Sequence, residues 1–327
     1  MTTVFVSGAN GYIAQHVIVQ LIAKGYDVIG SIRSEEKGEK LKKNLNSSKF
    51  TYVIIPDIIK EDAFDEVLKA NPQITAFLHT ASPVVFDVDD FEQDVIIPAL
   101  KGTVNVMNSI KKFAPQITRF VYTSSFAAIT SSEHTKDTVI TEDTWNKIAR
   151  DGGVEPMLAY RVSKTFAEKS VWDFYEKEKP NFTFNVVNPT MVFGPQAFDS
   201  EVKGTLNFSA EIINKILKLK PEDEVPEFRG GFIDVRDIAK AHLFALETEK
   251  TSLRLLCVEE RFSNQSCLDL IHKNFSLDLP KGSPGTGSDF SQMPILDNSK
   301  TKALIGPFIG LEQSVIDTVK QVLDNQK

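Results

Sequence analysis

Two rhythms of apolar positions alternate along this chain. Short runs at Val4–Val6, Asp27–Gly30, Phe50–Ile55, Ala76–His79, Arg119–Thr123 and Phe182–Asn188 have the length and bounding residues of strands. The stretches between them carry helical spacing. Ile13, Val17 and Leu21 form one such stripe, running to Lys24, and Gly25 ends it as a helix C-cap signal. Strands that alternate with helices predict crossover connections and a mostly parallel sheet. Ligands of such sheets sit beyond the C-terminal strand ends. Gly8, Arg33, Asp57, His79 to Ser82, Ser125 and Asn188–Pro189 all fall at those ends.

Beyond about residue 190 the alternation weakens. Pro195, Pro221, Pro226 and Gly230–Gly231 break the chain into loops and short helices. Phe232–Val235 and Leu253–Val258 read as further strands, and Leu311–Leu323 as a terminal amphipathic helix. The pattern predicts a dinucleotide-binding region over 1–189, rejoined by segments around 232–258, and a smaller substrate-binding α/β lobe built mainly from 190–327. The polar stretch 131–156 lies between Ser125 and Tyr160 and reads either as a lid or as a variable surface loop.

Composition narrows the function classes. The chain has 327 residues, 42% hydrophobic and 25% charged, and a net charge of -7. That balance argues against nucleic acid or an anionic membrane as the main partner. Cys257 and Cys267 are the only cysteines, and no Cys/His cluster has metal-ligand spacing, so no metal is expected. No apolar run approaches the ~20 residues of a membrane span. The N-terminus enters a strand within three residues, which leaves no room for a signal peptide, so a cytoplasmic protein is expected.

Candidate chemistry begins at Ser7-Gly8-Ala9-Asn10-Gly11-Tyr12-Ile13-Ala14, which follows a strand and opens a helix. Glycines there let the backbone turn tightly and approach a pyrophosphate, while the helix N-terminus offers free N–H groups. In this setting the pattern reads as a dinucleotide site, and with the alternation of strands and helices it predicts a Rossmann-type, doubly wound parallel sheet. Ala14 stands where a third glycine is common. After the second strand no acid occurs before Glu35, whereas Arg33 and Lys37 are present. Arg there suits the 2′-phosphate of NADP; Lys37 also reads as a solvated charge. Asp57 reads either as an acceptor for an adenine amine or as a turn residue after Pro56.

The second centre is Tyr160-Arg161-Val162-Ser163-Lys164, 35 residues after Ser125. Residues four apart share a helix face. An ammonium beside a phenol favours the phenolate and should lower the phenol's pKa. Tyr160 could then exchange a proton with a carbonyl or alcohol oxygen that a serine hydroxyl holds. Tyr175 and Lys179 repeat the spacing further along the same helix, but they sit among charges before Pro180 and read as a solvated helix end. Ser124 competes with Ser125; since strand residues alternate, one of the two should face the site. His79 and His242 read as structural, and Arg161 as pointing to solvent.

Together these segments resemble the extended short-chain dehydrogenases/reductases. More narrowly, the chain is similar to the fungal NADPH-dependent aldehyde, ketone and methylglyoxal reductases, kin to dihydroflavonol and cinnamoyl-CoA reductases. The resemblance is carried by Val4–Gly11, Leu78–Pro83, Thr123–Ser125, Tyr160–Lys164, Val187–Pro189, Phe193–Pro195 and Phe232–Ala239. It implies that Ser125 orients the carbonyl, Tyr160 donates the proton and Lys164 holds the nicotinamide ribose. It implies NADPH contacts from Ser7, Gly8, Ala9, Asn10, Gly11, Tyr12, Ile13, Arg33, Lys37, Asp57, Ile58, Thr80, Ala81, Ser82, Tyr160, Lys164, Pro189, Val192 and Ser209. The pocket it implies, from Ser82–Phe86, Phe126, the 131–157 loop and Phe198–Phe208, suits a small hydrophobic carbonyl. No Arg or Lys is clearly placed for a substrate diphosphate, though Arg229 or Arg261 could serve. Related enzymes often place an Asn near Val95–Ile97, where this chain is apolar. The expected partner is a small-molecule carbonyl, with a monomer or homodimer as the assembly. The rivals are an epimerase or dehydratase of nucleotide sugars that retains NAD, and a non-catalytic nucleotide sensor.

Overall fold

The computed structural model describes residues 2–82, 88–151, 155–204 and 206–325. Its strands are β1 (Thr3–Ser7), β2 (Asp27–Ile32), β3 (Phe50–Ile54), β4 (Ile74–His79), β5 (Arg119–Thr123), β6 (Val139–Ile140), β7 (Thr183–Pro189), β8 (Met191–Phe193), β9 (Arg229–Asp234), β10 (Leu253–Cys257), β11 (Glu260–Ser263) and β12 (Ile295–Leu296). Its α-helices are α1 (Tyr12–Ala23), α2 (Glu35–Leu45), α3 (Asp65–Ala70), α4 (Ile97–Phe113), α5 (Pro156–Glu178), α6 (Ala210–Leu217), α7 (Val235–Glu247), α8 (Asn264–Asn274), α9 (Ser299–Ile305) and α10 (Leu311–Asn325).

Among the described residues, seven strands form one sheet in the order β10-β7-β5-β4-β1-β2-β3, and every neighbouring pair is parallel. Period-2 alternation explains its two cores. Val4 and Val6 face a layer with Val17, Leu21, Ile238 and Leu243 from α1 and α7. Phe5 faces the opposite layer, with Val106, Ile110 and Val171 from α4 and α5. On that side Phe5, Phe77, Phe120 and Phe184 cross four adjacent strands as an aromatic row, with centroid spacings of 4.8, 5.9 and 6.0 Å. The chain leaves β1 toward β2 and later returns to its other side as β4. This reversal opens a crevice at the strand ends.

A smaller layer follows the main sheet. β9 pairs parallel with β8 and antiparallel with β11. Phe193, Phe232 and Phe262 from this sheet pack with Ile213, Ile271 and Val315 from α6, α8 and α10. β9 belongs to this sheet, whereas α7 packs on α1 and β10 lies beside β7 in the main sheet. Asp234 joins the two layers: its Oδ1 accepts from Arg236 N at 2.8 Å and so caps α7. The 131–156 stretch is fastened where it is described. β6 pairs with β12, and the Glu142 carboxylate accepts from Thr301 N and Oγ1 at 2.9 and 2.7 Å. No described helix is long and apolar enough to cross a membrane.

Candidate active site

The loop after β1 is shaped by close approaches. Gly8 has φ +66, and a Cβ on it would stand 3.0 Å from Ala81 Cα, so glycine is needed for both reasons. Gly11 N donates to Gly8 O at 2.9 Å, and α1 starts at the next residue, with its first N–H groups unsatisfied by the helix. Ala9 N donates to Ser31 O at 2.9 Å and Gly8 N to Ser31 Oγ at 3.1 Å, so β2 holds the loop from the side. Gly30 completes this arrangement: a Cβ there would lie 2.5 Å from Ala9 Cβ and 3.0 Å from the Phe50 ring. Gly30 and Ser31 belong to no recognisable motif, so the sequence does not single them out. Ala14 is buried in the core on the α1 side and borders the cleft.

A cleft of about 770 Å³ runs from this loop across the strand ends. Gly8, Asn10, Gly11, Tyr12, Ile13, Arg33, Lys37, Ile58, Thr80, Ala81, Ser82, Ser125, Tyr160, Lys164, Pro189, Val192 and Ser209 all line it. Ser7, Ala9 and Asp57 do not. Ser7 is fully buried; its Oγ accepts from Thr80 N and Ala81 N, both at 3.1 Å, and lies 2.8 Å from His79 Nδ1. With two donors already on that oxygen, its own proton points to the imidazole. Ser7 thus holds the end of β4 against β1 from below. Ala9 is wholly covered. Asp57 Oδ1 accepts from Ile59 N at 2.9 Å, a turn role, and the residue borders a small adjoining crevice with Arg33 and Ile58. Arg33 and Lys37 are exposed at the cleft's far end. Tyr12 OH donates to Gly194 O at 2.6 Å and so ties α1 to the segment after β8.

At the other end stand Ser125, Tyr160 and Lys164. Ser125 follows β5, and its Oγ accepts from Ala127 N at 3.1 Å. Its side chain also hydrogen-bonds the Tyr160 phenol. Burial raises the Tyr160 pKa, and the Ser125 bond lowers it by less, leaving it above its ordinary value. The net shift is therefore opposite to the lowering that the Tyr160–Lys164 spacing predicts. Lys164 Nζ lies 5.9 Å from the Tyr160 ring centroid, and burial takes its own pKa down to about 8, against the pull of Glu168.

Ser124 turns away from this group. Its hydroxyl donates to Glu168 Oε2. Glu168 sits one turn beyond Lys164, is fully buried, and also accepts from Asn188 Nδ2 at 2.7 Å, Arg254 Nε at 2.7 Å and Trp172 Nε1 at 3.3 Å. Asn188 Nδ2 reaches Ser125 O at 3.3 Å. Arg254 Nη1 donates to the carbonyls of Glu142 and Thr144 at 2.8 and 2.6 Å, with its guanidinium 3.8 Å from the Trp145 ring centroid. A buried carboxylate is tolerable when donors satisfy it, and here those donors come from the end of β5, β7, β10 and α5.

Phe126 and Phe208 line the cleft, and Phe208 is 44% exposed. Phe198 packs against the main core instead, and Phe86 lies outside the described residues. Arg161 does not point to bulk solvent: it lines the cleft, is half-buried, and has its pKa lowered by burial. Val95 and Ile96 are buried and apolar, so no side chain there relays a proton. His79 and His242 are buried, with pKa values driven down to about 3 and about 4. His242 Nδ1 donates to Ile238 O at 2.8 Å, and Thr123 Oγ1 donates to its Nε2 at 2.7 Å. Tyr175 OH lies 3.0 Å from Thr251 Oγ1, away from the cleft, and Lys179 caps α5 in the left-handed region at φ 44. Both cysteines are buried thiols, and burial pushes Cys267 up to about 12. No group of three or more metal-ligating side chains occurs among the described residues.

Residues 4–254 match the model of the NAD dependent epimerase/dehydratase family. The chain is 44% identical over 335 residues to the NADPH-dependent methylglyoxal reductase of Saccharomyces cerevisiae, covering 98% of each. Its fold superposes on the crystal structure of yeast methylglyoxal/isovaleraldehyde reductase complexed with NADPH, with a TM-score of 0.96, 43% identity and 99% of each chain covered. A Candida albicans homologue solved with NADPH gives a TM-score of 0.97 at 43% identity, over 100% of each chain.

Proposed function

The chain belongs to the NAD dependent epimerase/dehydratase family, and we propose that within it the protein is an NADPH-dependent carbonyl reductase. It reduces aldehydes or ketones, of the methylglyoxal, diketone or small hydrophobic carbonyl kind, to alcohols. The observation that carries this reading is one cleft containing the Ser125–Tyr160 hydrogen bond, buried Lys164, the glycine loop and the Arg33–Lys37 pair. The relative from Saccharomyces cerevisiae, which shares nearly the whole chain, is an NADPH-dependent methylglyoxal reductase by name.

The residues present fit NADPH. Gly8, Asn10, Gly11 and Tyr12 line the cleft where α1 begins, so a pyrophosphate there would meet the glycine loop and the free N–H groups of the helix N-terminus. Arg33 and Lys37 offer two cations to a 2′-phosphate, and no acid lies at the end of β2 to favour NAD. When bound, NADPH would supply a hydride to the carbonyl carbon. Lys164 would hold the nicotinamide ribose. Ser125 Oγ and Tyr160 OH converge on the carbonyl oxygen, and Tyr160 gives it the proton. A phenol whose pKa lies above its ordinary value stays protonated at neutral pH, so Tyr160 enters the reaction carrying the proton it must deliver. Positioning and the polar surroundings then supply the acceleration.

The test follows NADPH absorbance with methylglyoxal, a branched aldehyde, a diketone, an aryl ketone and a UDP-sugar, repeated with NADH. Oxidation of NADPH by the carbonyls is expected. Tyr160→Phe should lose roughly 10²–10⁴-fold in turnover while binding NADPH nearly as well; near-wild-type turnover would remove Tyr160 from its role. Silence with every carbonyl, together with NAD released on denaturation, would favour the nucleotide-sugar epimerase.

A further inference from the structure

The charges lining the cleft are one-sided. The chain carries a net charge of -7, yet the described lining holds four arginines and two lysines and no Asp or Glu. Arg33 and Lys37 stand at the 2′-phosphate end and Lys164 beside Tyr160, which accounts for three. Arg229 is exposed and paired with Glu227 at 2.8 Å. Arg161 and Arg261 are different. Both are half-buried, and neither forms a salt bridge among the described residues. Arg261 donates to Pro294 O and the Met293 sulfur. Arg161 directly follows Tyr160 on α5, with Met157 one turn before it on the same cleft wall.

A guanidinium drawn out of water without a carboxylate costs free energy that a ligand of opposite charge can offset. The same cleft lining includes the apolar side chains of Phe126, Met157 and Phe208. A planar guanidinium fork matches a carboxylate in two parallel hydrogen bonds. One-sided charge in a low-dielectric cleft also concentrates anions at its mouth.

We propose that the substrate end of this cleft takes oxo acids, carbonyl compounds that bear a carboxylate on a short hydrocarbon frame, and that Arg161, seconded by Arg261, holds the carboxylate. The inference rests on the carbonyl-reductase reading. Hydride and proton still add across the C=O bond, and the carboxylate leaves unchanged.

The test pairs each acid with its methyl ester: benzoylformate with methyl benzoylformate, and 4-oxopentanoate with methyl 4-oxopentanoate. NADPH oxidation is measured at low and at high salt. For at least one pair the acid should have the higher kcat/KM at low salt, and salt should erode that advantage. Arg161→Gln should lower the acid-to-ester ratio about ten-fold, chiefly through the KM of the acid. Arg161→Lys should lower it less. Esters preferred in every pair at low salt, or a ratio unmoved in Arg161→Gln, would overturn the proposal. So would a rise in KM for NADPH with acid and ester equally affected, which would assign Arg161 to the cofactor. Esters reduced without preference for the acids would leave the reductase reading standing while this inference fails; no oxidation by any carbonyl would sink the reductase reading itself.

Discussion

Lys164 should destabilise the protein it serves. Its side chain is 4% exposed, and burial lowers its pKa from 10.5 to about 8 even with Glu168 nearby. Every tenfold loss of proton affinity is worth about 1.4 kcal/mol, so holding the charged amine in the cleft costs about 3 kcal/mol at neutral pH. The folded-state pKa lies below the unfolded one, so the unfolded chain binds this proton more tightly. The cost is therefore full below about pH 8 and fades as pH climbs toward 10.5. Lys164→Met removes the charge and keeps the length. Without cofactor, the variant should be more stable than the parent by about 3 kcal/mol at pH 7 and by about 1 kcal/mol at pH 10. An unfolding entropy of roughly 2 cal/mol/K per residue makes this a rise of about 4 °C in Tm at neutral pH. Urea denaturation of both proteins at the two pH values reads the gap, and an NADPH assay should show the variant nearly inactive. A less stable variant at pH 7, or a gap that does not close with pH, would refute the desolvation account.

Three further outcomes follow from the geometry. Arg33→Ala should weaken NADPH by about ten- to a hundred-fold, the loss of a charged hydrogen bond, and hardly touch NADH; titrating both cofactors decides it, and equal losses would rule out a 2′-phosphate contact. Gly30→Ala places a methyl 2.5 Å from Ala9 Cβ, so the variant should lose roughly 1–3 kcal/mol of stability and also bind NADPH more weakly, because the atom that must yield belongs to the glycine loop. Glu168→Ala leaves Arg254 buried without its carboxylate, so it should lose about 3–5 kcal/mol in a denaturant titration; a loss below about 1 kcal/mol would mean that water replaces the carboxylate.

The sequence shows the main sheet clearly because parallel strands buried on both faces leave unbroken apolar runs. Those runs also place the glycine loop, Arg33, Ser125 and Tyr160 at strand ends or on the helix beside them. Two-residue strands such as β6 and β12 are too short for any period to show. Gly30 looks like an ordinary strand glycine, and its importance appears only when Ala9 and Phe50 come within reach of its Cα. Arg161 reads as solvated because a charge on a helix usually is; its half-burial comes from the cleft that the fold builds beside it.

Glu168 shows why the site cannot be read from its three reactive side chains alone. In sequence it is one more glutamate on an amphipathic helix. In the fold it accepts hydrogen bonds from Ser124, Asn188, Trp172 and Arg254, and Asn188 in turn holds the Ser125 carbonyl. The same carboxylate lies close enough to raise the Lys164 pKa. One buried anion therefore fixes the strand end that presents the serine and offsets part of the cost of the lysine. Its removal should be felt twice: in stability, through the stranded Arg254, and in the pH profile, where the Lys164 pKa should fall below about 8. In a Glu168→Gln variant that remains folded, the amide can still donate or accept hydrogen bonds but carries no charge. A downward shift of the alkaline limb of kcat/KM in that variant, with the fold intact by circular dichroism, separates the electrostatic role from the architectural one. An unmoved limb would leave Glu168 as architecture alone.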